Sequence, residues 1–338
     1  MVEFKAVLIK WGLFDAWLKS VHTPQKASFF HELNFPRMTV KKLLILLSFL
    51  YLSSNSFSQQ NNFKVITYNI WNGYDWGKDE DRRSRMNNWI NDQSPSIVAL
   101  QELCKYTSEK LEEDAKSWSH GYSVLLKTSG YSVGLTSKFP IEVKEKIMDD
   151  MHHGALHCKT NGIDVIVIHF SPGSYAKRRE EVAIIIEKLE KVRKENDRYL
   201  VLGDFNSQTP IDADLYDPDG AFLTRLRESN KDKPLSGNLF HNKLDYAVMS
   251  SLLAFPLIDV CQPFTKGMGE RGSFPGQVLG EVNNETKEEL ISRAQRIDYI
   301  MASPDLATKC LKAKVCNGKE NYYLSDHYPV VAEFDLSK

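Results

Sequence analysis

YLVLGDFNS, residues 199–207, is an apolar run that ends in a carboxylate and an amide, Asp204 and Asn206. Residues 199–202 have the aliphatic and aromatic character of a strand, and the residues after Leu202 have the composition of a turn. Alone, GDFN is as compatible with a β-to-loop turn as with a functional site. The same arrangement recurs along the chain. Asn69 ends VITYN (65–69), Gln101 and Glu102 end IVALQE (97–102), and His169 ends VIVIH (165–169). Asp298 sits inside RIDYI (296–300), and Asp326 and His327 precede the apolar run PVVAEF (329–334). In layered α/β proteins such strand ends converge on one crevice.

Working outward, short β-branched runs predict strands at 65–70, 97–100, 123–126, 132–136, 164–169, 199–202, 297–301 and 329–334. Helices are expected at 81–91, 244–253 and, most clearly, 176–195. There Val182, Ile185, Ile186, Leu189 and Val192 share one face, and Arg, Lys and Glu fill the other. Strands and helices alternate in one continuous domain, 62–338, so the fold class is α/β with helices covering a sheet core. The Gly- and charge-rich stretch 263–294 reads as a long surface loop.

The 338-residue chain has a net charge of −1, which hides an asymmetry. Residues 1–58 carry seven Lys/Arg and three Asp/Glu, leaving 36 basic and 41 acidic residues in the remainder. That acidic body argues against a broad cationic groove for tracking nucleic acid. It does not exclude a nuclease, because a metal ion can hold the one phosphate that matters.

Residues 38–58 have the layout of a cleavable signal peptide: Met38, then Lys41 and Lys42, a ten-residue apolar run from Leu43 to Leu52, and small polar residues. A secreted or periplasmic protein follows, with translation expected to begin at Met38 and 1–37 an upstream extension. Cys104, Cys158, Cys261, Cys310 and Cys316 show no zinc-site spacing. Six residues apart on one strand, Cys310 and Cys316 would be roughly 20 Å apart, too far for a disulfide.

The polar set suits phosphate-ester hydrolysis. Glu102 and Asp326 offer hard oxygen ligands for a cation, and Asp204 suits a base that holds water. Asn69 and Asn206 are neutral donors for phosphate oxygens. Asp298 would hold His327 in one tautomer against the phosphate. KLDYAVM (243–249) offers a competing acid, Asp245, which the pattern places on a helix.

Seven segments together carry a wider resemblance: TYNIWNG (67–73), PSIVALQE (95–102), VGLTSKFPI (133–141), VIVIHF (165–170), VLGDFNS (201–207), QRIDYI (295–300) and LSDHYPV (324–330). In order and spacing the chain resembles the endonuclease/exonuclease/phosphatase superfamily, the deoxyribonuclease I-like fold. The resemblance implies a four-layer α/β/β/α sandwich and dependence on Mg²⁺ or Mn²⁺. It implies Glu102, Asn69 and Asp326 at the metal, and His169, Asp204, Asn206, Asp298 and His327 as catalytic residues. His169 takes the second-histidine position, yet the stretch SGYSVGLTSKFP offers no acid to support it. His152, His153 and Trp71 are candidate substrate contacts, with Tyr74 and Trp76 near the same mouth.

The substrate is then a phosphate ester: nucleic acid, a phospholipid head group or a phosphorylated small molecule. No protein partner is indicated and a monomer is expected. The competing class, a catalytically idle binding domain on the same fold, predicts loss of some of these positions, and all are present.

Overall fold

The computed structural model describes residues 62–233 and 237–337. The signal-peptide segment 38–58 and the extension 1–37 lie outside them. The strands are β1 (Asn62–Asn69), β2 (Ile97–Gln101), β3 (Tyr122–Leu125), β4 (Gly134–Ser137), β5 (Ile141–Ile147), β6 (Ala155–Thr160), β7 (Ile163–His169) and β8 (Tyr199–Asp204). They continue as β9 (Leu239–Phe240), β10 (Lys243–Leu244), β11 (Ile258–Asp259), β12 (Asp298–Ala302), β13 (Cys310–Val315) and β14 (Val330–Asp335). The helices used below are α1 (Glu80–Gln93), α2 (Ser108–Ser117), α3 (Tyr175–Val192) and α4 (Ala247–Ala254).

Two six-stranded sheets form, in the orders β13-β14-β1-β2-β4-β3 and β11-β12-β8-β7-β6-β5. Alternation along each strand explains how they pack. Val65, Ile97, Ala99, Val165, Val167, Leu200 and Leu202 point into one core between the sheets. Their neighbours point outward. Ile66, Tyr68, Val98 and Leu100 meet Met86, Ile90, Leu111 and Ala115 of α1 and α2. Ile166, Ile168 and Val201 meet Val182, Ile185, Leu189 and Val248 of α3 and α4. Both faces of each sheet are buried, so the central strands read as continuous apolar runs. The result is the α/β/β/α sandwich.

Each sheet has a parallel pair at its centre, β1 with β2 and β7 with β8. Four carboxyl ends therefore point the same way within their sheets, carrying Asn69, Gln101–Glu102, His169 and Asp204. The antiparallel neighbour β12 starts where β8 ends. Register places His169 opposite Asp204 and Asp204 opposite Asp298.

Several expectations are corrected. Residues 263–294 are not a bare loop; they hold short helices at Gly267–Arg271, Val278–Asn283 and Lys287–Ser292, with Phe274 bridged to Gln295. Asp245 lies just before α4 rather than on it, and its carboxylate takes both Nε and Nη2 of Arg179 at 3.0 and 2.6 Å. The polar face assigned to α3 is incomplete, because Arg178 and Glu181 are buried with its apolar residues. Strand β5 was not anticipated. The charged sequence of β5, IEVKEKI, reflects an edge strand with one face in water. All five cysteines are free thiols, and Cys310 and Cys316 flank β13 as expected.

The segment entering β12 is anchored by Arg296, whose side chain is fully buried. Its Nε meets Asp212 and its Nη1 meets Asp259, each at 2.6 Å. Removing the cation would leave buried Asp259 without its partner, while Asp212 keeps Arg271 at 2.6 Å. Arg296→Met should cost about 3–5 kcal/mol, measured by denaturant unfolding. A loss under about 1 kcal/mol would show that the pair of acids does not need it.

Candidate active site

Asn69, the last residue of β1, is the link between the two sheets. Its Nδ2 donates to Glu102 Oε1 at 3.3 Å and to Asp204 Oδ2 at 3.2 Å. Its Oδ1 accepts from the Trp71 amide at 3.1 Å. Asn72 N–H then donates to Glu102 Oε2 at 2.6 Å. These amides reach Glu102 because residues 71–76 follow a left-handed turn, with φ between 49° and 60° at each residue. Glu102 itself has φ +60°. Such backbone costs about 1–2 kcal/mol per L-residue and marks sites held by their surroundings.

Asp204 is 1% exposed. Its Oδ1 accepts from the Asn206 amide at 2.8 Å. Its Oδ2 lies 3.5 Å from His169 Nε2 and 3.8 Å from His327 Nε2. Burial, and next the charge of Asp298, hold its carboxyl well above the usual range. Asn206, at φ +46°, donates through Nδ2 to the Phe170 carbonyl at 3.0 Å.

His327 is fixed from the other side. Its Nδ1 bonds Asp298 Oδ2 at 2.9 Å, leaving Nε2 toward Asp204. Burial would lower its pKa, but the charges of Asp298, Asp204 and Asp326 outweigh that and raise it well above the usual value. Ser325, two residues earlier, accepts the His327 amide at 3.3 Å and donates to the Asn69 carbonyl at 2.7 Å. Ser273 accepts the Asp298 amide at 3.1 Å, and the Phe274 ring lies 4.9 Å from the His327 ring. The segment first read as a loop thus forms one wall of the site.

His169 is held neutral, its pKa lowered well below the ordinary value, first by burial and then by His153 and His327. Its Nδ1 is buried without a partner, in keeping with the missing acid noted in the sequence. His153 stacks on it at 4.2 Å, and His152 meets His153 edge-on at 4.3 Å. His152 is exposed, and its amide donates to Glu181. Trp71 does not reach this cleft. It packs under the Arg82 guanidinium and lines a neighbouring hollow with Asp75 and Val278. Tyr74 is buried beside Arg82 and Tyr106, and Trp76 meets Tyr131 edge-on.

Two groupings could hold a cation. Atoms of Asp204, Asp298 and His327 lie within 4.8 Å of one another, but the hydrogen bond between His327 and Asp298 already occupies that set. Glu102 and Asp326 offer carboxylate oxygens suited to a hard cation, and Asn69 orients Glu102 through Nδ2 with its Oδ1 on the Trp71 amide. Asp326 carries the matching electrostatic signature: burial and the charge of Glu102 push its carboxyl up to about 6, against the opposing charge of His327. The donor chemistry therefore fits a divalent ion at Glu102.

Sequence reasoning missed the rest of the cleft, a space of about 300 Å³ that also touches Pro172, Arg178, Gln208, Asn238, Phe274 and Gln295. Arg178 alone had a signal. It lies four residues before Val182, on the apolar stripe of α3.

The chain belongs to the Endonuclease/Exonuclease/phosphatase family, whose model matches residues 66–327. Its fold is shared with an AP endonuclease from Archaeoglobus fulgidus, at 22% identity and TM-score 0.57 over 81% of this chain and 100% of that one. A 3′ phosphatase from Neisseria, solved with a product DNA hairpin, matches at 22% identity and TM-score 0.59, covering 81% and 99%. A 3′-5′ exonuclease from Neisseria meningitidis matches at 21% and 0.57, covering 81% and 100%. No curated protein matches the chain.

Asp204 can sit where it does because Gly203 precedes it. Gly203 has φ +143°, and a Cβ there would stand 2.0 Å from the Ile168 carbonyl oxygen. Gly203→Ala should destabilise by at least about 2 kcal/mol and displace Asp204. Thermal unfolding together with an activity assay checks this; a variant as stable and as active as the parent would remove the constraint.

Proposed function

We propose that this protein is an exported, divalent-metal-dependent hydrolase of phosphate esters. The observation that carries the reading is the line Asp298–His327–Asp204 closing on Asn69 and Glu102. Membership of a family of nucleases and phosphatases supports the same class. Export rests on the pattern of residues 38–58. Amino-terminal sequencing of the native protein should find a start near residue 59, and a start at Met1 would refute it.

In this reading Glu102, with Asn69 and Asp326, holds Mg²⁺ or Mn²⁺. Bound there, the ion supplies neutralisation of charge on the phosphoryl oxygens. Asp204 aligns a water molecule and takes its proton as the water oxygen bonds to phosphorus. Its raised pKa suits a base that must accept a proton near neutral pH. The bond from phosphorus to the leaving oxygen breaks in line with the attack. Asn206 and His327 donate to the non-bridging oxygens, with His327 kept cationic and oriented by Asp298. His169, neutral and without a carboxylate on Nδ1, keeps Asp204 in position rather than acting as the acid that protonates the leaving group.

Chelation should abolish hydrolysis of a chromogenic phosphodiester, and Mg²⁺ or Mn²⁺ should restore it. Glu102→Gln should raise the metal concentration needed for half-maximal rate by at least about tenfold. His327→Ala should lower kcat by roughly 10²–10⁴, with thermal unfolding measured alongside because it also leaves buried Asp298 without its partner. Chelator-resistant turnover, or a near-parental rate in His327→Ala, would contradict the assignment. The solved neighbours named for DNA-processing activities make plasmid and end-labelled DNA the first physiological substrates to assay.

A further inference from the structure

The cleft lined by Glu102, Asp204 and His327 also takes in Arg178, whose chemistry is different. Arg178 enters it from the first turn of α3 and is 3% exposed. Its Nη1 donates to the Ser171 carbonyl at 2.9 Å and to Asn238 Oδ1 at 2.8 Å. Both acceptors are neutral, and its Nε is buried with no acceptor. Among the described residues no carboxylate lies within ion-pair distance of it. The contrast with its neighbours is sharp: Arg179 has Asp245, and Arg296 has Asp212 and Asp259. A guanidinium withdrawn from water with no carboxylate in contact is costly; burial pushes Arg178 down to about 10, and the charges of Asp245, Glu181 and Asp204 oppose that only from a distance.

Its placement ties it to the phosphate-binding side of the site. Asn206 Nδ2 hangs on the Phe170 carbonyl and Arg178 Nη1 on the next carbonyl, that of Ser171. The amide and the guanidinium are thus held by neighbouring residues and line the same cleft. Gln208 and Gln295 are bonded to each other at 2.8 Å in the same wall. The cleft holds about 300 Å³, roughly ten waters at about 30 Å³ each, which is more than one phosphoryl group fills.

We infer that Arg178, with Asn238 and Gln208 beside it, forms a subsite for a second phosphate of the substrate, next to the phosphate being cleaved. The inference rests on the phosphoesterase reading of the cleft and narrows it to esters that carry another phosphate nearby. A guanidinium fork matches phosphate oxygens two at a time. The scissile group has its own partners in Asn206, His327 and the cation at Glu102, so Arg178, which touches no carboxylate, is free for a neighbouring phosphate.

Two measurements on the full chain test this. In chelator the scissile site lacks its cation, and Arg178 should carry most of the remaining affinity for inorganic phosphate. Calorimetry should show phosphate binding that weakens at least about tenfold in Arg178→Gln and less in Arg178→Lys. With Mg²⁺, Arg178→Gln should raise KM about tenfold or more for a dinucleotide bearing a terminal phosphate. It should leave kcat, and turnover of bis(p-nitrophenyl) phosphate, within about threefold.

Unchanged phosphate affinity in Arg178→Gln would overturn the subsite. So would equal losses on both substrates, whether from contact with the scissile phosphate or from a structural role revealed by lowered thermal unfolding. If the Gln variant does not fold, Arg178→Lys decides by the same KM comparison. Phosphate binding that depends on Arg178 in a protein that hydrolyses no ester would instead sink the enzymatic reading and leave the anion subsite standing.

Discussion

Asp204 is the constraint on which the rest depends. It is a carboxylate with almost no exposure, and it is tolerated only because partners reach it from both sheets. Asn69 comes from one sheet, His169 and Asp298 from the other, and His327 from the turn that leads into β14. Packing of the two sheets brings these ends together, and the polar network fixes their register at that edge. A one-residue slip of β8 against β12 would turn Asp204 to the opposite face and break the network along with the core.

The backbone shows where this arrangement is costly. The strands themselves are ordinary, but their exits are not. Gly203, Asn206, Glu102 and the turn at 71–76 all have positive φ, and all adjoin the same few side chains. In each case the unusual backbone points an amide or a carboxylate at the cleft. The strain is confined to the polar edge and is borne by a core that fills both faces of both sheets.

The strand ends were legible because two-sided burial leaves long apolar runs, and a polar residue that ends such a run stands out. That is how Asn69, Glu102, His169 and Asp204 could be read from the chain. Strand β5 was not legible, because an edge strand half in water has the composition of a loop. The helices within 262–294 are too short to show a period. Arg296 and Arg178 escaped for another reason. Charged residues are assigned to solvent by default, and only contacts distant in sequence reveal that one anchors β12 through two acids and the other is buried with no acid in direct contact. Arg178 did break the apolar stripe of α3, and a charge on such a stripe is the sequence signal that a buried function leaves.

Seen as a charge distribution, the cleft mixes signs. Glu102, Asp204 and His327 line it together with Arg178 and the amides of Asn206, Gln208, Asn238 and Gln295. Buried carboxyls that raise one another call for a cation, and a buried guanidinium that none of them touches calls for an anion. On the phosphoesterase reading proposed above, one substrate meets both demands: fixed groups of opposite sign orient a ligand as well as bind it, so a second anionic group at Arg178 would set which way the ester lies.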